Sequence, residues 1–187
     1  KQKTAYEIGV RLVGSEMCIR DRDMVVGQTW RADADDSLKE AEGTVDSLEA
    51  YVRTLVGESA SIQRATYSEG RVKILWVTPI NPKARTLVIV GQQWLQIEAG
   101  EHGGRWELDY TPEDIERARA IIEAVISGRV VELISLRRSE VRVTLATGEQ
   151  VTETGYDTGL GWLPIPGWRK RAKAVSYEPY QASGPIG

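Results

Sequence analysis

Between Arg71 and Asp109 four apolar runs, RVKILWVT, ARTLVIV, QQWLQIE and RWELD, are separated by spacers too short for anything but hairpin turns. A parallel crossover needs a dozen or more residues, so neighbouring runs of this kind have to pair antiparallel. That excludes a doubly wound parallel sheet for this stretch and predicts a meander. A short candidate strand around Ile62, ending near Ser68, precedes it, with Glu69-Gly70 as the turn. In RVKILWVT the residues Val72, Ile74 and Trp76 share one face, while Lys73, Leu75 and Val77 share the other. Pro79 and Pro82 end the run because proline cannot donate to a ladder.

Two helices flank the meander. In TPEDIERARAIIEAVISG, Thr111 is placed to cap, Pro112 takes the first helical position, Glu113 and Asp114 suit the positive end of the dipole, and Gly128 closes the helix. Its buried stripe is predicted at Ile115, Ala118, Ile122, Val125 and Ile126. Upstream, Leu38, Ala41, Val45, Leu48, Val52 and Leu55 recur at helical spacing; Ser37 with Glu40 forms a capping box and Gly57 a stop. Gly43 weakens its middle by about 1 kcal/mol relative to alanine. The acids Asp35, Asp36, Glu40, Glu42, Asp46 and Glu49 are assigned to its solvated face.

Three more strands are predicted from RVVELISL, SEVRVTLA and EQVTETG, the last two joined at Thr147-Gly148. The aromatic, glycine- and proline-rich tail that follows has little period. Its Trp162, Leu163, Ile165, Trp168, Tyr177 and Tyr180 imply that it packs over the domain, with 181–187 frayed. The predicted architecture is one α+β domain: a largely antiparallel sheet of about six to eight strands with helices at 37–56 and 112–127.

The first residues stand apart. Leu12 to Asp21 back-translate as CTC GTG GGC TCG GAG ATG TGT ATA AGA GAC, and Lys1 to Ile8 as AAG CAG AAG ACG GCA TAC GAG AT. Residues 1–22 thus resemble a translated transposase-type sequencing-library adapter, with room for an index between the two blocks. The resemblance implies that 23–187 is the native part and that Met24 is a start codon or an internal methionine. A targeting peptide fits worse, because Glu7, Arg11 and Glu16 interrupt every apolar run.

Removing that segment changes the electrostatic reading. The chain has 24 Lys+Arg and 27 Asp+Glu; the first 22 residues hold five and three of these, leaving 19 and 24 and a net charge of −5. A general polyanion binder normally carries a basic excess. Cys18 is the only cysteine, so 23–187 has no thiol chemistry, no zinc-thiolate site and no disulfide, compatible with a cytoplasmic location. No apolar run approaches the roughly 18 residues of a membrane-spanning helix, so no membrane partner is expected.

Candidate sites are few. His102, the only histidine, stands in EAGEHGGRW and suits a general base oriented by Glu101 or Asp109; the flanking glycines equally suit a strand-connecting loop. No metal or cofactor set is visible, and Gly155, Gly159 and Gly161 match no phosphate-binding fingerprint. In WRKRAKA, Trp168, Arg169, Lys170, Arg171 and Lys173 suit an acidic protein partner or a nucleic acid, and equally a solvated face without a role or an internal partner of the acidic helix at 33–49. EHGGRWEL, GYDTG and PGWRKR resemble small uncharacterised proteins of GC-rich bacteria over residues 85–180, a resemblance that implies neither an activity nor a site residue. The favoured expectation is a non-catalytic binding or accessory module, an immunity-type or other protein-interaction domain; the alternatives are a small enzyme using His102 with nearby carboxylates and a weak nucleic-acid binder through Arg169–Lys173.

Overall fold

The structure, a computed structural model, describes residues 29–157 and 165–181; within helix 29–56 side chains are described from Glu40 on. The adapter-like residues 1–22, Met24, Gly159, Gly161, Trp162, Leu163 and residues 182–187 lie outside the described residues. The order is α1 (Thr29–Val56), β1 (Ala60–Tyr67), β2 (Val72–Pro79), β3 (Leu87–Gly91), β4 (Leu95–Glu98), β5 (Arg105–Leu108), α2 (Pro112–Ile126), β6 (Val130–Ser135), β7 (Arg138–Thr144), β8 (Gln150–Tyr156), α3 (Trp168–Arg171) and β9 (Lys173–Ser176). All strand pairs are antiparallel, and the fold is α+β.

β1 to β5 form the expected meander in sequence order. The second sheet has the order β8-β7-β6-β9, so there are nine strands in two sheets among the described residues, where one sheet was expected. β9, absent from the sequence reading, pairs with β6 through Leu133 opposite Ala174 and Glu132 opposite Val175.

The faces follow the alternation. Leu75 and Val77 are buried beneath the helices with Leu87, Ile89, Leu95, Ile97 and Trp106, whereas Val72, Ile74 and Trp76 remain partly exposed on the other face. α1 contributes Ala41, Val45, Leu48, Val52 and Val56 to this core, and α2 contributes Ala118, Ile121, Ile122, Ala124, Val125 and Ile126. Val130, Val141, Val143 and Val151 close it from the second sheet.

α2 begins and ends as its sequence requires. Thr111 Oγ1 accepts the Asp114 N–H, and Gly128 turns out at φ 71°, a conformation that favours glycine. α1, by contrast, extends back to Thr29, so Ser37 and Glu40 lie inside the helix instead of opening it. No glycine or proline interrupts 29–36, so nothing there stops the helix.

The acidic face of α1 is partly neutralised by its own sheet: Glu42 pairs with Lys73, and Asp46 and Glu49 with Arg64. The tail does pack down. Tyr180 is buried with its hydroxyl donating to Arg85 O at 2.7 Å, and Asn81 and Lys83 both bond Glu178.

Candidate functional site

The segment Ala99–Arg105 stitches the two sheets together, and it does so with main chain against side chain. Glu101 N–H donates to Glu132 Oε1 at 2.7 Å, Gly103 N–H to Ser139 Oγ at 2.8 Å, and Gly104 N–H to Glu153 Oε2 at 3.0 Å. These N–H groups bond side chains of β6, β7 and β8 and not a strand's backbone, so the loop links the two sheets without a ladder between them. Glu132 is fully buried, and its second oxygen accepts the Tyr177 hydroxyl at 2.7 Å. Burial, reinforced by that hydrogen bond, pushes the Tyr177 hydroxyl up to about 12.

Glycine is required here for space. A Cβ on Gly155 would lie 1.7 Å from His102 O, and one on Gly103 would lie 2.5 Å from Ser139 O. The glycines of EHGGRW and ETGY are therefore a close backbone contact between β8 and the connecting loop, and the phosphate-cradle reading has no structural support at Gly155.

The candidate catalytic residues His102, Glu101 and Asp109 lie along two open clefts and the loop beside them. His102 lines an open cleft of about 370 Å³ with Arg105, Glu107, Glu153, Gly155 and Tyr156. Asp109 lines a different cleft, of about 230 Å³, with Trp94, Glu107, Leu108 and Asp114. Glu101 is exposed, and the hydrogen bond recorded for it is made by its backbone. His102 and Asp109 thus line neighbouring clefts that share Glu107. Among the described residues, no group of three or more His, Cys, Asp or Glu is placed to hold a metal, and no helix is long and apolar enough to cross a membrane.

The basic cluster is divided between internal and external roles. Trp168 is buried, and the guanidinium groups of Arg138 and Arg169 lie over its ring at 5.7 and 4.9 Å; Arg138 also lies over Tyr156 at 5.6 Å. Stacks of this type contribute about 0.5–2 kcal/mol each. Arg169 also pairs with Glu140, whose side chain is only 3 % exposed and is held from the other side by Arg142 at 2.6 Å. The internal partner of Arg169 is thus Glu140 and not the acidic helix. Lys170, Arg171 and Lys173 are exposed, Arg171 donating to Pro166 O at 3.1 Å.

Burial alone would raise the Glu140 carboxyl, but hydrogen bonds from Arg169 and Arg142 outweigh it and hold the group below its ordinary value of 4.5. A carboxylate lowered on folding stabilises the protein above its unfolded pKa, and that stabilisation is lost as pH falls through the folded value. Glu140→Gln should therefore cost about 1–3 kcal/mol at pH 7 and flatten the loss of stability below pH 4.5, measured by urea unfolding across pH. An acid limb unchanged in slope would contradict this assignment.

The same end of the second sheet carries three large exposed apolar side chains. Leu136, 82 % exposed, sits at the tip of the β6–β7 hairpin beside Arg137; Tyr156 is 50 % and Ile165 42 % exposed. Register places Tyr156 opposite Arg138 and Lys173 opposite Ile134, Asp157 N–H bonds Arg137 O, and Ile165 O accepts the N–H of Trp168, whose ring Arg138 covers. The sequence reading singled out the cations of this end but missed Leu136 and Tyr156. The one local signal, an uncapped Leu-Arg hairpin turn with Arg137 at φ 60°, is visible only in the backbone. No protein-family model and no curated protein matches the chain.

Proposed function

We propose that the protein is a non-catalytic binding module whose docking surface is the hairpin end of the second sheet, suited to an acidic, amphipathic segment of a protein partner. The observation that carries this reading is the grouping of Leu136, Tyr156 and Ile165 with Arg137, Lys170, Arg171 and Lys173 at one end of one sheet. Exposed apolar residues rimmed by like charges favour a ligand with apolar anchors and carboxylates, the charges setting orientation and encounter rate. A base stacked on Trp168 fits this geometry less well, since its ring is buried and already covered by two guanidinium groups.

The division of labour within the cluster dictates the test. Arg169 holds Glu140, so it is retained, and Lys170, Arg171 and Lys173 are changed together to glutamate. Affinity for a fluorescein-labelled peptide of alternating leucine and glutamate, read by anisotropy at low salt, should fall about tenfold or more, at roughly 0.5 kcal/mol per surface charge, with the unfolding midpoint unchanged. Leu136→Ser should weaken binding independently of salt. No binding by the parent protein, or equal binding by the triple variant, would remove this surface as the site.

A further inference from the structure

We infer that β1 is a self-association edge, along which a second copy of this chain adds antiparallel to join two five-stranded sheets into one. Among the described residues β1 is the terminal strand of its sheet, eight residues long and paired without a bulge from Ala60 opposite Pro79 to Tyr67 opposite Val72. Edges of this length are ordinarily blunted by proline, lysine, a bulge or a covering element, because their unpaired backbone groups template further strands. ASIQRATY contains no proline and no lysine, and its one charge, Arg64, is already turned onto α1 by Asp46 and Glu49.

The hydrogen-bond phase identifies the free groups. Ile80 N–H donates to Ser59 O, so the pair just before β1 is a hydrogen-bonded one, and the pairs led by Ser61, Gln63, Ala65 and Tyr67 share that phase. The N–H and C=O groups of Ala60, Ile62, Arg64 and Thr66 therefore point away from β2. Pro79 opposite Ala60 agrees with this, since its missing N–H falls where no bond to β1 is made.

Two-fold symmetry then selects a register. Pairing Arg64 with Arg64 of the second copy sets like charges directly opposite, which is unfavourable. Moving by one step puts Ile62 opposite Arg64 of the second copy, Ala60 opposite Thr66, and Gln63 opposite itself, and uses residues 60–66 throughout. Other symmetric registers pair a shorter stretch. Self-complementarity of a neutralised edge favours a second copy over an unrelated extended peptide, because every free donor of one copy meets a free acceptor of the other with no unpaired charge.

Gln63 provides the test, since it sits on the two-fold axis as a non-hydrogen-bonded pair, where the Cα atoms approach to about 4.5 Å, within disulfide reach. Ser61 is offset from its own symmetry mate by four residues, about 14 Å, and cannot be bridged. In a Cys18→Ser background, Gln63→Cys should oxidise to a covalent dimer at least about tenfold faster than Ser61→Cys. Sedimentation equilibrium from about 1 µM to 1 mM should show a monomer–dimer equilibrium. Thr66→Pro, which removes an outward N–H and no internal bond, should abolish the dimer while circular dichroism stays native. A monomer throughout that range, or equal cross-linking of the two cysteine variants, would overturn the inference even if Thr66→Pro failed to fold.

Discussion

Gly155→Ala is expected to destabilise the protein by about 3–5 kcal/mol, because the added methyl has nowhere to go. Its Cβ would lie 1.7 Å from His102 O, 2.4 Å from His102 C and 2.7 Å from Gly103 Cα, all backbone atoms of the loop that bridges the sheets. A flexible side chain could rotate aside; this main chain cannot, since Gly103 N–H, Gly104 N–H and Glu101 N–H are held by Ser139, Glu153 and Glu132. Gly148→Ala is the control. That glycine has φ 86° but nothing within 4 Å of its absent Cβ, so alanine there should cost only the left-handed penalty of about 1–2 kcal/mol. Urea unfolding of both variants separates a steric from a conformational requirement, and equal losses would refute the close-contact account of the seam.

Glu132→Ala should cost a similar amount, about 3–5 kcal/mol, for a different reason. Glu132 is a buried carboxylate that accepts from two donors in different parts of the chain, the Glu101 N–H and the Tyr177 hydroxyl. Alanine leaves both without an acceptor, at about 1–3 kcal/mol each, and adds a cavity. Glu132→Gln keeps one carbonyl oxygen for Glu101 N–H and lets the Tyr177 hydroxyl reorient, so its loss should be well under half as large. A double-mutant cycle with Tyr177→Phe should show coupling of about 1 kcal/mol or more, since the two groups touch directly. If alanine and glutamine at this position were equally costly, burial of charge, and not the hydrogen bonds, would govern the site.

These two positions bear on the docking surface proposed above. Tyr177 follows directly on β9, and β9 pairs with β6, so the Glu132–Tyr177 bond helps fix the strand that runs on from α3. The stack of Arg138 and Arg169 on Trp168, with Arg169 on Glu140, holds α3 over the same sheet. The exposed Lys170, Arg171 and Lys173 are thus presented by a framework that is itself partly built of arginine. The sequence shows a run of like cations; the fold separates Arg169, which holds Glu140, from Lys170, Arg171 and Lys173, which stay exposed.

What the sequence determined by itself was whatever depends on near neighbours. Thr111, Pro112 and Gly128 bracket α2 because capping and positive φ are satisfied within one or two turns. The meander β1 to β5 follows from spacers too short to cross over, and the apolar stripes of α1 and α2 and the alternation of β2 follow from their periods, though which face of β2 is buried does not. Features that rest on partners distant in the chain had to wait for the fold. Glu132 lies 31 residues from Glu101 and Glu140 lies 29 residues from Arg169, and nothing local distinguishes these carboxylates from other glutamates of the chain. The same holds for Gly155, whose need for glycine comes from the His102 carbonyl across the seam and not from its own backbone angles. Local free energies are written in local sequence, whereas a hydrogen bond or a steric contact across two sheets is set by how they come to lie against each other.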